Sequence, residues 1–192
     1  MTRLLIGTTN AGKQGEFRRL LAGLGVVLET PDTLGLDLVI DEPHDTYAAN
    51  AAVKAEAYAA ASGIASLADD SGIEVAALDW GPGVRSARWG GGNNAARLLE
   101  ALGDAGDRRA RMVCVVAIAR PGLSAETFAG VVDGRVAHEP SGTGGFGYDP
   151  VFLVAGDMTT AELPEADKDR ISHRGRAVAA ALPRLRTILG AS

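Results

Sequence analysis

The chain has 192 residues, 46% of them apolar and 22% charged, an ordinary globular composition that excludes wholesale disorder. That length suits one domain, residues 1–192, able to bury roughly 70% of its unfolded surface without disulfides or a structural metal. Lys and Arg number 19 against 24 Asp and Glu, a net charge of −5, so there is no basic field for non-specific nucleic-acid binding; a small anion needs only one local positive site.

Met1-Thr2-Arg3 leads straight into a strand-like segment, Arg3 to Thr8, without the apolar core and cleavage site of a signal peptide. The apolar residues Phe17, Leu20, Leu21 and Leu24 recur at helical spacing, and Gly25 closes that helix. Asp45 or Thr46 caps an alanine-rich helix to about Ser62, with Gly63 just beyond it. Ile64 to Ala68 reads as a short strand ending in a turn, Asp69-Asp70-Ser71-Gly72, with Ile73 to Leu78 returning beside it. Asn93 or Asn94 caps a helix through Leu102, ended by Gly103.

Met112 to Ala119 is a central strand, too short to cross a bilayer, and Cys114 within it is a core thiol. With one cysteine there is neither an intramolecular disulfide nor a cysteine zinc cluster. Glu126 to Val132 and Arg135 to Ala137 flank Asp133-Gly134, a hairpin signal. A glycine-rich loop, Ser141 to Gly147, precedes a strand Val151 to Val154, and the last helix runs from near Ser172 to Leu189 with a kink at Pro183. The alternation of helix and strand predicts one α/β unit. The N-terminal segment, the short apolar run and the charge balance add the expectation of a cytoplasmic protein with no membrane or nucleic-acid partner.

Several segments carry chemistry. Gly7-Thr8-Thr9-Asn10-Ala11-Gly12-Lys13-Gln14 nearly spells a phosphate-binding loop between strand and helix, where backbone N–H groups face an anion. Gln14 stands where the signature has Ser or Thr, so phosphates are expected here without the hydroxyl that meets Mg²⁺. Asp69 and Asp70 lie where ligands collect in α/β sheets. Side chains alternate along extended chain, so one carboxylate faces the ligand while its neighbour turns aside. Glu42 completes an oxygen site, and with thiolates absent the ion expected is hard, Mg²⁺.

Only three lysines occur, Lys13, Lys54 and Lys168, beside sixteen arginines. Lys54 lies one turn beyond Asn50 and faces the same way. Phe146 has room to stack on a planar ring, and Asp149 to accept from ring N–H groups. Ser172 reads as an N-cap with His173 and Arg174 in the first turn, where cations oppose the helix dipole unless an anion or carbonyl compensates. Ser172 and His173 are adjacent and make no hydrolytic triad. Trp89 reads as packing over the site or as a subunit contact. His44 and His138 read as surface or capping residues.

Taken together, these segments resemble the inosine/xanthosine triphosphate pyrophosphatase family. The matching stretches are Thr8 to Lys13, Asn50-Ala51 with Lys54-Ala55, Ala68 to Gly72, Pro82 to Arg88, Gly142 to Pro150 and Ile171 to Arg174. The resemblance implies an elongated α/β fold, a central mixed sheet flanked by helices, with two lobes and the active site in the cleft between them, usually a homodimer. It implies Mg²⁺-dependent cleavage of deaminated purine nucleoside triphosphates to monophosphate and pyrophosphate. Thr8, Thr9, Asn10, Ala11, Gly12 and Lys13 would hold the triphosphate. Glu42 and Asp70 would hold Mg²⁺ with Asp69 supporting, and Asp70 would be the general base. Ser71 and Lys54 would touch phosphate or sugar; Phe146, Gly147, Tyr148, Asp149, Lys168, His173 and Arg174 would enclose the base. Ala49 stands where many members have an acid. Two other readings of the same loop are a P-loop ATPase or kinase, which would release the terminal phosphate, and a nucleotide sensor without turnover.

Overall fold

The computed structural model describes residues 2–154 and 156–190. In chain order the elements are β1 (Arg3–Ile6), α1 (Ala11–Leu20), β2 (Val27–Glu29), α2 (Pro31–Leu34), α3 (Tyr47–Ser62), β3 (Ser66–Val75), β4 (Gly81–Pro82), α4 (Ser86–Trp89) and α5 (Asn94–Leu102). They continue with β5 (Arg109–Ala119), β6 (Glu126–Val136), β7 (Phe152–Leu153), α6 (Glu165–Ile171) and α7 (His173–Leu189). The sheet order is β2-β1-β3-β5-β6-β7, with β4 on β3. It is mixed: β1 pairs in parallel with β2 and β3, whereas β3–β4 and β6–β7 are antiparallel. Among the described residues no helix is long and apolar enough to cross a membrane.

Contacts divide the chain into two compact units, residues 1–70, 114–130 and 174–192 in the first, residues 71–113 and 131–173 in the second. In the first unit, strand alternation sorts the core into two layers. Leu67, Cys114, Val116 and Ile118 pack with Phe17 of α1, with Leu21 just past its end, and with Val178, Ala181 and Leu185 of α7. Ala68, Val115, Ala117 and Ala119 face the other way and meet Ala51, Ala55 and Ala59 of α3. The second unit has its own core, in which Ile73, Val75, Leu98, Val136 and Phe152 are buried.

The helix signals hold. Thr46 caps α3 by accepting from the Ala49 N–H, and Gly63 ends it in the left-handed conformation. Asn93 caps α5 and Gly103 follows it. The helix carrying Phe17 ends at Leu20, and a 3₁₀ turn, Ala22–Leu24, carries the apolar face on to Gly25.

Three strand expectations are corrected. Asp69-Asp70-Ser71-Gly72 is no turn but the middle of the ten-residue β3, because each carboxylate finds donors in its own layer. Asp133-Gly134 lies inside the continuous β6. A Cβ on Gly134 would fall 2.2 Å from the Leu153 carbonyl oxygen and 2.7 Å from the Phe152 ring, so that glycine serves close approach rather than a turn. The strand expected over Val151 to Val154 shrinks to Phe152–Leu153, since Asp149–Val151 forms a 3₁₀ turn begun by Pro150. The last helix begins at His173 and is assigned continuously through Pro183.

Candidate active site

In the first unit the phosphate-like loop is stapled by its own side chains. Thr8 Oγ1 accepts from the Asn10 N–H at 3.2 Å, and Asn10 Oδ1 caps α1 by accepting from the Lys13 N–H at 3.0 Å. Gln14 donates through Nε2 to the Thr8 carbonyl at 2.8 Å. Thr9, Asn10 and Ala11 are exposed, and Gly12 and Lys13 half-buried.

Lys13 Nζ reaches Asp69 Oδ2 at 3.0 Å, and Arg174 Nη2 meets the same oxygen at 3.1 Å. Arg174 Nη1 is also paired with Glu16 Oε2 of α1. Glu16, Asp69 and Arg174 are all buried. Burial alone would raise the Asp69 pKa, but the charges of Lys13 and Arg174 outweigh it and hold the carboxyl well below its usual range. Cys114 Sγ lies 3.7 Å from Asp69 Oδ2. Burial, reinforced by the Asp69 charge, pushes that thiol up and keeps it protonated.

Asp70 points into the alanine layer. Its Oδ2 accepts from Asn50 Nδ2 at 3.1 Å, a neutral donor. Burial raises its pKa, the Lys54 charge and the Asn50 bond oppose the rise, and the Glu42 charge adds to it. Lys54 Nζ lies 3.1 Å from Glu42 Oε2, so Asn50 and Lys54 share one face of α3, as their spacing requires. Asn50 further grips the backbone of His44: Oδ1 accepts from its N–H and Nδ2 donates to its carbonyl, both at 3.0 Å.

Among the described residues no three His, Cys, Asp or Glu side chains form a cage for a metal ion. Two carboxylates together with phosphate oxygens do suit Mg²⁺, which binds through one or two carboxylates and keeps several waters. Asp70 and Glu42, whose charge acts on Asp70, fit that donor set. Asp69 Oδ2 already faces an ammonium and a guanidinium, and its buried Oδ1 has no hydrogen-bond partner among the described residues.

The second unit holds a different cluster. Asp149 is buried, and its Oδ2 accepts from Lys168 Nζ at 2.6 Å and from the Phe146 N–H at 2.7 Å. Thr160 Oγ1 donates to Asp149 Oδ1 at 2.8 Å. The turn needs Gly145: its φ is +70°, and a Cβ there would fall 2.1 Å from Asp149 Oδ2. Lys168 Nζ lies 5.3 Å from the centre of the half-buried Phe146 ring. A cavity of about 10 Å³, touched by Asp149, Lys168, Ser172 and His173, opens among apolar side chains and has room for about one water.

The sequence expectation groups Arg174 with the base-facing residues, but its guanidinium is spent on Glu16 and Asp69 within the first unit. Those acids are the compensation that a cation at the start of α7 needs. Asp149 holds Lys168 and the loop backbone. Tyr148 is core, its hydroxyl donating to the Ser86 carbonyl at 2.9 Å and its pKa raised by burial to about 12. Gly147 is exposed, and Ser71 follows Asp70 in β3. Trp89 packs on the second unit's core under the Arg97 guanidinium. The sequence reading passes over Glu16 and Thr160; only the spacing of Glu16 one turn after Lys13 hints at a shared site.

The α/β fold thus carries paired acids in the middle of a strand and a lysine on a capped strand-to-helix loop. The chain belongs to the Ham1 family, which it matches over residues 4–184. It is 45% identical to a dITP/XTP pyrophosphatase of Symbiobacterium thermophilum, with 97% of this chain and 96% of that one covered. A protein of the same name from Gloeobacter violaceus is 46% identical, with 93% and 91% covered. Among solved structures, the Staphylococcus aureus Ham1 protein superimposes with a TM-score of 0.83 at 36% identity, covering 97% of this chain and 99% of its own.

Proposed function

We propose that this chain hydrolyses deaminated purine nucleoside triphosphates, the inosine and xanthosine forms with ribose or deoxyribose, to the monophosphate and pyrophosphate. The carrying observation is the division of adjacent acids: Asp69 is neutralised by two cations, while Asp70 keeps a raised pKa beside a neutral amide. The dITP/XTP pyrophosphatase relatives at 45–46% identity support the reaction class. This reading places the enzyme in the cytoplasm, working as a dimer of identical chains.

In this reading the loop from Thr8 to Gly12 and the Lys13 ammonium receive the triphosphate. Arg174 stays on Asp69, so Lys13 can turn to phosphate without leaving a buried carboxylate uncompensated. Asp70 takes the proton from a water attacking the α-phosphorus. As the new P–O bond forms, the bond from that phosphorus to the bridging oxygen breaks and pyrophosphate leaves. Asp70 and Glu42 would hold Mg²⁺, which when bound supplies neutralisation of the phosphates and a more acidic water. Lys54, paired with Glu42, lies ready to contact phosphate or sugar together with Ser71.

Lys168, Phe146, Asp149 and His173 are the residues proposed to read the base. Hypoxanthine and xanthine carry an oxygen at C6 that accepts from the Lys168 ammonium; adenine offers a donor there instead. An unpaired buried donor costs about 1–3 kcal/mol, roughly tenfold or better rejection per contact. Phe146 offers its ring face beside Lys168, and His173 lines the cavity that Lys168 and Asp149 touch.

The test is product identification with Mg²⁺ and ITP, XTP, GTP or ATP. Pyrophosphate from ITP and XTP, with little from ATP, is expected. Inorganic phosphate as product would support a P-loop ATPase, and binding without product a sensor.

A further inference from the structure

Glu42 lies on residues 36–44, a segment with no helix or strand to fix it. Asp70, by contrast, is held in the register of β3. Two α3 side chains dock the irregular segment. Lys54 meets the Glu42 carboxylate, and Asn50 closes a two-bond ring on the His44 backbone. The same Asn50 amide nitrogen donates to Asp70 Oδ2. Asn50 is itself buried, so its amide has no latitude to hold one group and release the other.

We infer that Asn50 is a positioning residue that sets the spacing between the Glu42 segment and Asp70, joining a loop and a strand into one divalent-cation site. This rests on the proposed role of Asp70 and Glu42 in holding Mg²⁺. Neither neighbouring type substitutes for the amide. Aspartate keeps an acceptor for the His44 N–H but loses both donors and places a second anion against Asp70. Alanine loses all three bonds. The grip is on the His44 backbone, so the imidazole itself, which is exposed, contributes nothing to it.

The experiment uses the full chain with Asn50→Ala, and His44→Ala as control. Mn²⁺ binding without nucleotide is measured by water-proton relaxation, His44 amide protection by hydrogen exchange, and pyrophosphate release from ITP against Mg²⁺ concentration. In Asn50→Ala, Mn²⁺ affinity is expected to fall about 10–100-fold, as when a side chain orienting a metal ligand is lost. His44 protection should fall about tenfold, the size of one lost hydrogen bond. Turnover should drop at low Mg²⁺ and recover in part at high Mg²⁺, with the KM for ITP little changed; His44→Ala should match the parent throughout. A folded Asn50→Ala with parental Mn²⁺ affinity and His44 protection would overturn the inference. If that variant does not fold, Asn50→Asp decides: His44 protection kept with turnover reduced supports the inference, and parental turnover refutes it. If the parent releases no pyrophosphate from any nucleotide, the proposed function fails, whereas Mn²⁺ binding and amide exchange still test the role of Asn50.

Discussion

Asp69 and Asp70 are chain neighbours placed in opposite electrostatic settings by the pleat of β3. Asp69 enters the layer of large aliphatic side chains, where α1 and α7 bring Lys13, Glu16 and Arg174 to it. Asp70 enters the layer where small alanines let α3 approach, and its Oδ2 accepts from the neutral Asn50 amide. A sealed ionic cluster fixes geometry and gives up reactivity; a carboxylate raised by burial and held by a neutral donor keeps its basicity. On the proposed reading, one residue of register therefore separates the structural acid from the chemical one.

The sharpest way to break this contrast is Asp70→Asn. Pyrophosphate release is expected to fall by about 10²–10⁴-fold, the usual weight of a general base, with the thermal unfolding curve unchanged. Parental turnover in that variant would move the base elsewhere. The mirror substitution, Asp69→Asn, should act on stability, since it removes the carboxylate that Lys13 and Arg174 share and leaves Arg174 with Glu16. Breaking a buried pair costs about 3–5 kcal/mol, read from urea unfolding.

The pH dependence sharpens the same point. The folded pKa of Asp69 is depressed, so its stabilisation is complete above the ordinary carboxylate value and is lost as pH falls below it. The stability gap between Asp69→Asn and the parent should thus narrow between about pH 7 and about pH 3. An equal gap at both would show that the ion pairs contribute nothing to it. The smallest effect concerns Cys114: in native protein it should resist thiol reagents and react only on addition of denaturant. Prompt labelling would mean that the Asp69 layer opens to water.

Helix ends were legible because their causes are local. Thr46 and Gly63 around α3 need no knowledge of the rest of the chain. The turn expected at Asp69 to Gly72 failed because strand-poor residues become strand residues when partners distant in sequence satisfy them. Arg174 and Glu16 are 158 positions apart, beyond any local pattern. Asp133-Gly134 has turn chemistry, yet the neighbouring β7 requires a residue without a side chain at that point of β6. Sequence named candidate residues, but which of them meet depends on the face each occupies: Arg174 lies on Glu16 and Asp69, and Tyr148 in the core.

The loop near Thr8 stops one residue short of a full phosphate-loop signature, and the missing hydroxyl is not simply a loss. Gln14 ties its side chain to the Thr8 carbonyl, so the turn is braced by a bond internal to the chain. A nest braced in this way holds its shape ahead of any ion. On the proposed reading, an incoming triphosphate thus meets a loop already arranged, and affinity is not spent on ordering the backbone that receives it.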